Sequence, residues 1–279
     1  MGQLARPSRR FHFCSLIAEY WKIGQRASVG AVIVLLPPSE TKRTGGNGPA
    51  LALEALSAPV LGPLRTELVD ELIELAADRP ASRRALGIST AQDAEIDRNA
   101  ALRTASTMPA IDRYTGVLYD ALDIESLRGA AAARARSRLA VVSALFGLLR
   151  ADDLIPAYRL SATSRLPGRP TLAARWRPAL EPVLAGIAER ELVVDLRSGS
   201  YAALGKVAGA VTVEVVAEHS DGRRTVVSHF NKAHKGRLAR ALSTTRSEPG
   251  DAAAVAALAR RAEMRVQRRG DHLTVVVPA

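Results

Sequence analysis

Residues 31–42 read A-V-I-V-L-L-P-P-S-E-T-K. Six uncharged apolar residues stop at Pro37 and Pro38, which cannot donate to a strand ladder, so 31–36 predict a buried strand that hands the chain to a loop. Beyond that loop, Pro63 suits a first helical turn. Leu64, Leu68, Leu72 and Leu75 follow at helical spacing with Glu67, Asp70, Glu71 and Glu74 opposite, which predicts an amphipathic, acidic helix. A second helix over Arg83–Leu86 meets Gly87, suited to a left-handed C-cap. Ser89 or Thr90 suits the N-cap of a further helical stretch from Ala91 to about Arg103. The pattern is a helix, a tight hairpin made of Leu86, Gly87, Ile88 and Ser89, and another helix.

Further on, the chain predicts a helix from Leu118, an Ala- and Arg-rich surface segment and a buried strand from Leu139 to Leu145. A short strand follows over Leu192–Leu196. Strands over Ala210–Ala217 and Arg224–Phe230 are joined by a turn carrying Ser220, Asp221 and Gly222. A helix over Lys232–Leu242, an Asp251-capped helix to about Met264 and a strand over Leu273–Val277 complete the reading. Strands and helices interleave without a repeat, which predicts an α+β or α/β fold. It is read as one compact domain over 29–279, a central mixed sheet surrounded by helices and including the helix-hairpin-helix. Residues 1–28, with Arg6, Arg9, Arg10, Lys22 and Arg26 and no steady period, read as a loosely attached extension.

Composition narrows the function. With 279 residues, 47% hydrophobic and 24% charged, the chain is an ordinary globular one. Its one cysteine, Cys14, excludes an internal disulfide, a cysteine-based zinc or iron-sulfur site and a paired-thiol peroxide cycle. No apolar run approaches the ~20 residues that span a bilayer, so the expectation is a cytoplasmic protein with no membrane partner and, by default, a monomer. Lys and Arg number 39 against 28 Asp and Glu, a net charge of +11. Only Lys22, Lys42, Lys206, Lys232 and Lys235 are lysines, and so strong an arginine bias reads as the codon usage of a GC-rich genome, which discounts net charge as a sign of nucleic acid.

Three acid-free stretches concentrate the charge. Gly222–Ser247 carries Lys232, Lys235, Arg237 and Arg240 on or beside one side of a helix, with Gly236 among them. Its small size suits the approach of a phosphate or of another backbone. Ser126–Ala151 includes Arg150, and Leu154–Leu180 includes Tyr158 and Arg159. The loop Ser39–Lys42 and the cluster Asp195, Arg197, Ser198 and Tyr201 each leave a strand, where loops often hold ligands. Neither matches a Walker or GxGxxG spacing, and His219, His229 and His234 match no zinc pattern. The residues carry no catalytic signature, no metal site and no cofactor motif, so the reading leans away from an enzyme.

Five strings taken together carry a resemblance: L-L-P-P-S-E-T-K at 35–42, R-Y-T-G-V-L-Y-D-A-L at 113–122, S-A-L-F-G-L-L-R-A-D-D-L-I-P-A-Y-R-L at 143–160, V-D-L-R-S-G-S-Y at 194–201 and H-F-N-K-A-H-K-G-R-L-A-R at 229–240. In order and spacing the chain resembles the YaaA family of peroxide-stress proteins, in an actinobacterial-type branch. The resemblance implies protection against hydrogen peroxide linked to low free intracellular iron. It also implies an α+β fold with a helix-hairpin-helix, and a basic cleft that binds double-stranded DNA without sequence specificity. Carried onto this chain, the hairpin is Leu86–Ser89, and the cleft draws on Lys232, Lys235, Arg237 and Arg240 with Arg150, Tyr158 and Arg159. The alternative is an enzyme acting on a small phosphorylated or nucleotide-like substrate, with Ser39–Lys42, Arg197, Tyr201 and Lys232 in one pocket. A third reading is direct iron sequestration by grouped carboxylates or histidines.

Overall fold

The computed structural model describes residues 31–226 and 228–279; the extension read over 1–28 lies outside them. The apolar run forms strand β1 (Val32–Leu36), no residue of it more than 1% exposed. On its two sides lie β3 (Leu139–Ser143) and β6 (Leu192–Asp195), both parallel to it. The eight-stranded sheet continues through β7 (Val211–Glu218) and β10 (His272–Pro278), also parallel. Antiparallel β4 (Gly147–Arg150) and β9 (Val266–Arg269) close its edges, and β8 (Arg224–Val226) pairs with the far end of β7. Strands covered by helices need no polar face, which is why β1, and β3 up to Ser143, read as unbroken apolar runs. A two-stranded ribbon, β2 (Met108–Pro109) with β5 (Leu154–Ile155), stands apart.

Helices α1 (Gly62–Leu75), α2 (Arg79–Leu86), α3 (Ala94–Ala100), α4 (Ala110–Arg113), α5 (Val117–Leu122) and α6 (Gly129–Arg138) lie between β1 and β3. The chain then forms α7 (Leu172–Ala188) before β6, the short α8 (Gly199–Ala202) after it, α9 (Ser228–Thr244) and α10 (Ala252–Arg261). The acidic α1 is explained by its neighbours: Glu71 takes Arg175 at 2.6 Å and Arg169 at 2.8 Å, and Asp70 takes Arg103 at 2.5 Å. No helix of the described residues is long and apolar enough to cross a membrane.

Several boundaries differ from the sequence reading. The strand over 139–145 is half of a hairpin: the chain turns at Gly147, whose φ of 63° and contact with the Trp176 ring leave no room for a side chain, and returns as β4. The Ala- and Arg-rich segment is helix α6, and α7 and β9 went unread. The strand expected to reach Phe230 stops at Val226, and α9 already begins at Ser228.

The hairpin region forms as α2, a left-handed cap at Gly87, a single 3-10 turn over Thr90–Gln92 and then α3. Leu86 and Ile88 are buried, and the Ser89 N–H donates to Gln92 Oε1 at 3.2 Å, which removes one N–H from those able to hold a phosphate. Asp93, next in the chain, pairs with Arg83 and Arg79.

Candidate functional site

The strand connections diverge at one place. The path out of β1 leads to β3 on one side, and the path out of β6 leads to β7 on the other. Between the carboxyl ends of two such strands, the loops part and leave a crevice, the usual ligand position in open parallel sheets. Here the flanking loops are Pro37–Lys42 and Leu196–Tyr201, parts of two of the five strings.

The first loop is stitched to a third string. Lys42 bridges to Tyr114, Arg43 N donates to Arg113 O at 2.9 Å, and Thr115 N donates to Thr41 O at 3.3 Å. Arg113, fully buried, donates to Arg43 O and Ile155 O, tying this loop to β5 and the string over 143–160. Tyr119 donates to Pro37 O at 2.8 Å. This scaffold holds Lys42 Nζ 4.2 Å from the Tyr158 ring centroid and 5.5 Å from that of Tyr114. The ammonium has no carboxylate partner. Its hydrogen bonds go to Ser39 O at 2.9 Å and Glu40 O at 3.3 Å. Burial above all, and then the Arg159 guanidinium, lower the Lys42 pKa to about 7, against the opposing pull of Glu95 and Glu40.

Under the amine runs a hydroxyl chain. Ser143 Oγ lies 2.7 Å from Tyr158 Oη, which lies 2.9 Å from Tyr114 Oη. Burial pushes both phenols well above their ordinary range, so both stay protonated. Ser143 Oγ accepts from the N–H groups of Leu145 and Phe146, which occupies its lone pairs. Its proton therefore goes to Tyr158, and one of the two phenols, Tyr158 or Tyr114, keeps an O–H that the chain itself does not use. At the rim, Arg159 pairs with Glu40 at 2.6 Å, while its Nε is enclosed without an acceptor. Tyr201, its pKa pushed up to about 12 chiefly by burial, is the half-buried phenol of the second loop and feels both Glu40 and Arg159.

Arg197 lies within the fold: 5% exposed, it makes a two-pronged pair with Asp195 and donates to Gly205 O. Lys235, 8% exposed, donates to Leu196 O at 3.0 Å and Arg197 O at 3.3 Å, pinning the second loop from α9. Burial lowers its pKa, with Asp195 and Glu214 pulling the other way.

The structure thus gathers Lys42, Tyr158, Arg159, Arg197, Tyr201 and Lys235 at one end of the sheet. An open cationic surface formed by all the basic residues is corrected. Tyr158 is 1% exposed, and Lys235 and Arg197 are buried. Arg150 is half-buried with a guanidinium N–H on Ser137 O at 2.5 Å. Arg240 donates to Leu122 O, Asp123 O and Ser126 Oγ. The reason is that α9 packs against α5 on one side and the sheet on the other. A Cβ at Gly236 would lie 2.2 Å from Leu118 O, so its missing side chain admits a backbone rather than a phosphate. Lys232 and Arg237 do face outward. Arg237 lines a separate cleft of about 980 Å³ with Glu218, His219, His234, Glu263 and Arg265. Tyr114 and Ser143 were missed as site residues; their membership of quoted strings was the only available signal. Among the described residues no three His, Cys, Asp or Glu side chains are grouped closely enough to hold a metal ion.

Residues 32–261 match the family model described as peroxide stress protein YaaA. A UPF0246 protein of Corynebacterium efficiens is 49% identical over 253 residues, covering 88% of this chain and 100% of that protein. A UPF0246 protein of Streptomyces coelicolor is 46% identical over 232 residues, covering 81% of this chain and 89% of its own. A match running along the chain from β1 to α10, with every crevice residue inside it, makes this chain a member of the peroxide stress protein YaaA family.

Proposed function

We propose that the protein serves in peroxide defence through the crevice between β1 and β6, which takes a small phosphorylated or nucleotide-like ligand. The observation that carries this reading is the convergence of five distant strings on one topological switch point. They bring together an amine, a phenol pair with one unused O–H, and an arginine at the rim. Every one of these groups donates, so the complementary ligand is rich in acceptor oxygens. Calorimetric titration with a nucleoside monophosphate tests it. Saturable binding is expected, weakened at least tenfold by Arg159→Gln at a cost of about 1.4 kcal/mol. Equal binding by wild type and variant, or none by either, would remove the assignment.

A second reading, binding of double-stranded DNA without sequence preference, has its own observation. Lys232 and Arg237 point outward from α9, and Arg237 and Arg265 line the separate open cleft. On this reading the contacts are to phosphates, so affinity falls with salt at about 0.9 log units per neutralised phosphate. The hairpin Leu86–Ser89 belongs to the same proposal, through the exposed Gly87 and Ser89. A salt titration with a short duplex decides it, and a salt-independent or absent signal would refute it. The link to low free iron is part of the peroxide-defence proposal, tested by the chelatable iron pool of cells lacking the protein. An unchanged pool would break that link.

A further inference from the structure

We infer that Lys42 is a reactive amine that condenses with a carbonyl group of the ligand to form an imine. The inference rests on the small-ligand reading of the crevice and names the chemical class, an aldehyde or ketone that also carries phosphate.

Five observations carry it. In a chain that uses arginine almost everywhere, this position holds a lysine, and of the two only lysine can lose its proton near neutrality. The hydrogen bonds of Nζ go to two backbone carbonyls, those of Ser39 and Glu40, which matches the two N–H bonds of a neutral amine and leaves its lone pair unused. The tyrosine rings of Tyr158 and Tyr114 flank it without supplying a counter-charge. The charged groups around it, Arg159 and Arg98 against Glu95 and Glu40, are balanced in number, so burial decides the protonation state.

The fifth observation is the hydroxyl chain of Ser143, Tyr158 and Tyr114, in which one of the two phenols whose rings flank the amine keeps an unused O–H proton. The step balances. The Lys42 lone pair forms a C–N bond to the carbonyl carbon while the carbonyl oxygen takes the unused proton of the Tyr158–Tyr114 phenol pair, and an amine proton restores the phenol. The resulting carbinolamine loses its hydroxyl with the second amine proton as water, leaving C=N. Amine plus carbonyl become imine plus water, with no oxidant or reductant.

The test uses the full chain with pyridoxal 5′-phosphate as the aldehyde probe, borohydride to trap the imine, and peptide mapping by mass spectrometry. Pyridoxine 5′-phosphate, which lacks the aldehyde, serves as the binding control by calorimetry. Near neutral pH, Lys42 should be labelled roughly tenfold or more faster than the exposed Lys232 and Lys206, because burial leaves a large fraction of its amine unprotonated. Lys42→Arg should lose the label at this position while Lys232 and Lys206 keep theirs. The wild-type map stands alone if that variant fails to fold. If pyridoxine 5′-phosphate binds while Lys42 stays unlabelled, the imine is overturned and the ligand site survives. If neither occurs, both readings fall. Labelling without control binding supports the amine and removes the phosphate site.

Discussion

Two cations of one helix, Lys232 and Lys235, lie less than a turn apart and live in opposite worlds. Lys235 is buried at the crevice with both its hydrogen bonds on the second loop, whereas Lys232 is exposed. The same contrast separates the crevice from the outer cleft as a whole. In the crevice each cation has a structural task or a shifted proton; on the outer face Arg237 meets water. Charge counted along a sequence therefore measures neither field nor function, because burial converts some cations into fasteners for backbone carbonyls and leaves others free to meet a polyanion.

The contrast is sharpest in stability. Lys235→Met removes the donor from two buried carbonyls and should cost about 3 kcal/mol in urea unfolding, while Lys232→Met should stay within about 0.5 kcal/mol. Equal costs would erase the distinction between the two sides of α9. Gly236→Ala should cost about 2 kcal/mol, since a Cβ there meets the Leu118 carbonyl. A silent substitution would mean that α9 and α5 separate easily and that the crevice wall is loose.

Proton linkage probes the crevice alone. The Lys42 pKa in the fold is about 7 against 10.5 for the free side chain, so between these values the unfolded chain holds more of the proton. Raising the pH through this window therefore favours the fold. The stability of wild type relative to Lys42→Met should climb by up to about 1.4 kcal/mol per pH unit. A flat difference from neutral to alkaline pH would place the amine in bulk-like water. On the outer side, replacing Lys232 and Arg237 by Glu should leave the melting temperature nearly unchanged. It should flatten the salt slope of duplex binding by about 1.8, the sum for two phosphates. An unaltered slope would move any duplex contact elsewhere.

The strand from Val32 to Leu36, the acidic α1, the Gly87 cap, the Asp251-capped helix and the last strand were all legible, because each is a local pattern with its own period or cap. Strands β4 and β9 were not. A four-residue strand gains its identity from the partner it lies beside, and the Gly147 turn against Trp176 is a contact between residues 29 positions apart. The site divided in the same way. Membership was readable from the strings, but roles were not: Arg197 looked like a ligand group and closes on Asp195, and Tyr114, passed over, ends the hydroxyl chain.

By itself the sequence determined the alternation of helix and strand, the family and the roster of chemically interesting residues, since periodicity, caps and motif order are properties of neighbours along the chain. Only the tertiary structure decided which cations face water, which amine has its proton loosened by burial and which donors converge between β1 and β6. Dielectric environment and distance depend on what the fold brings together, and no spacing along the chain encodes them.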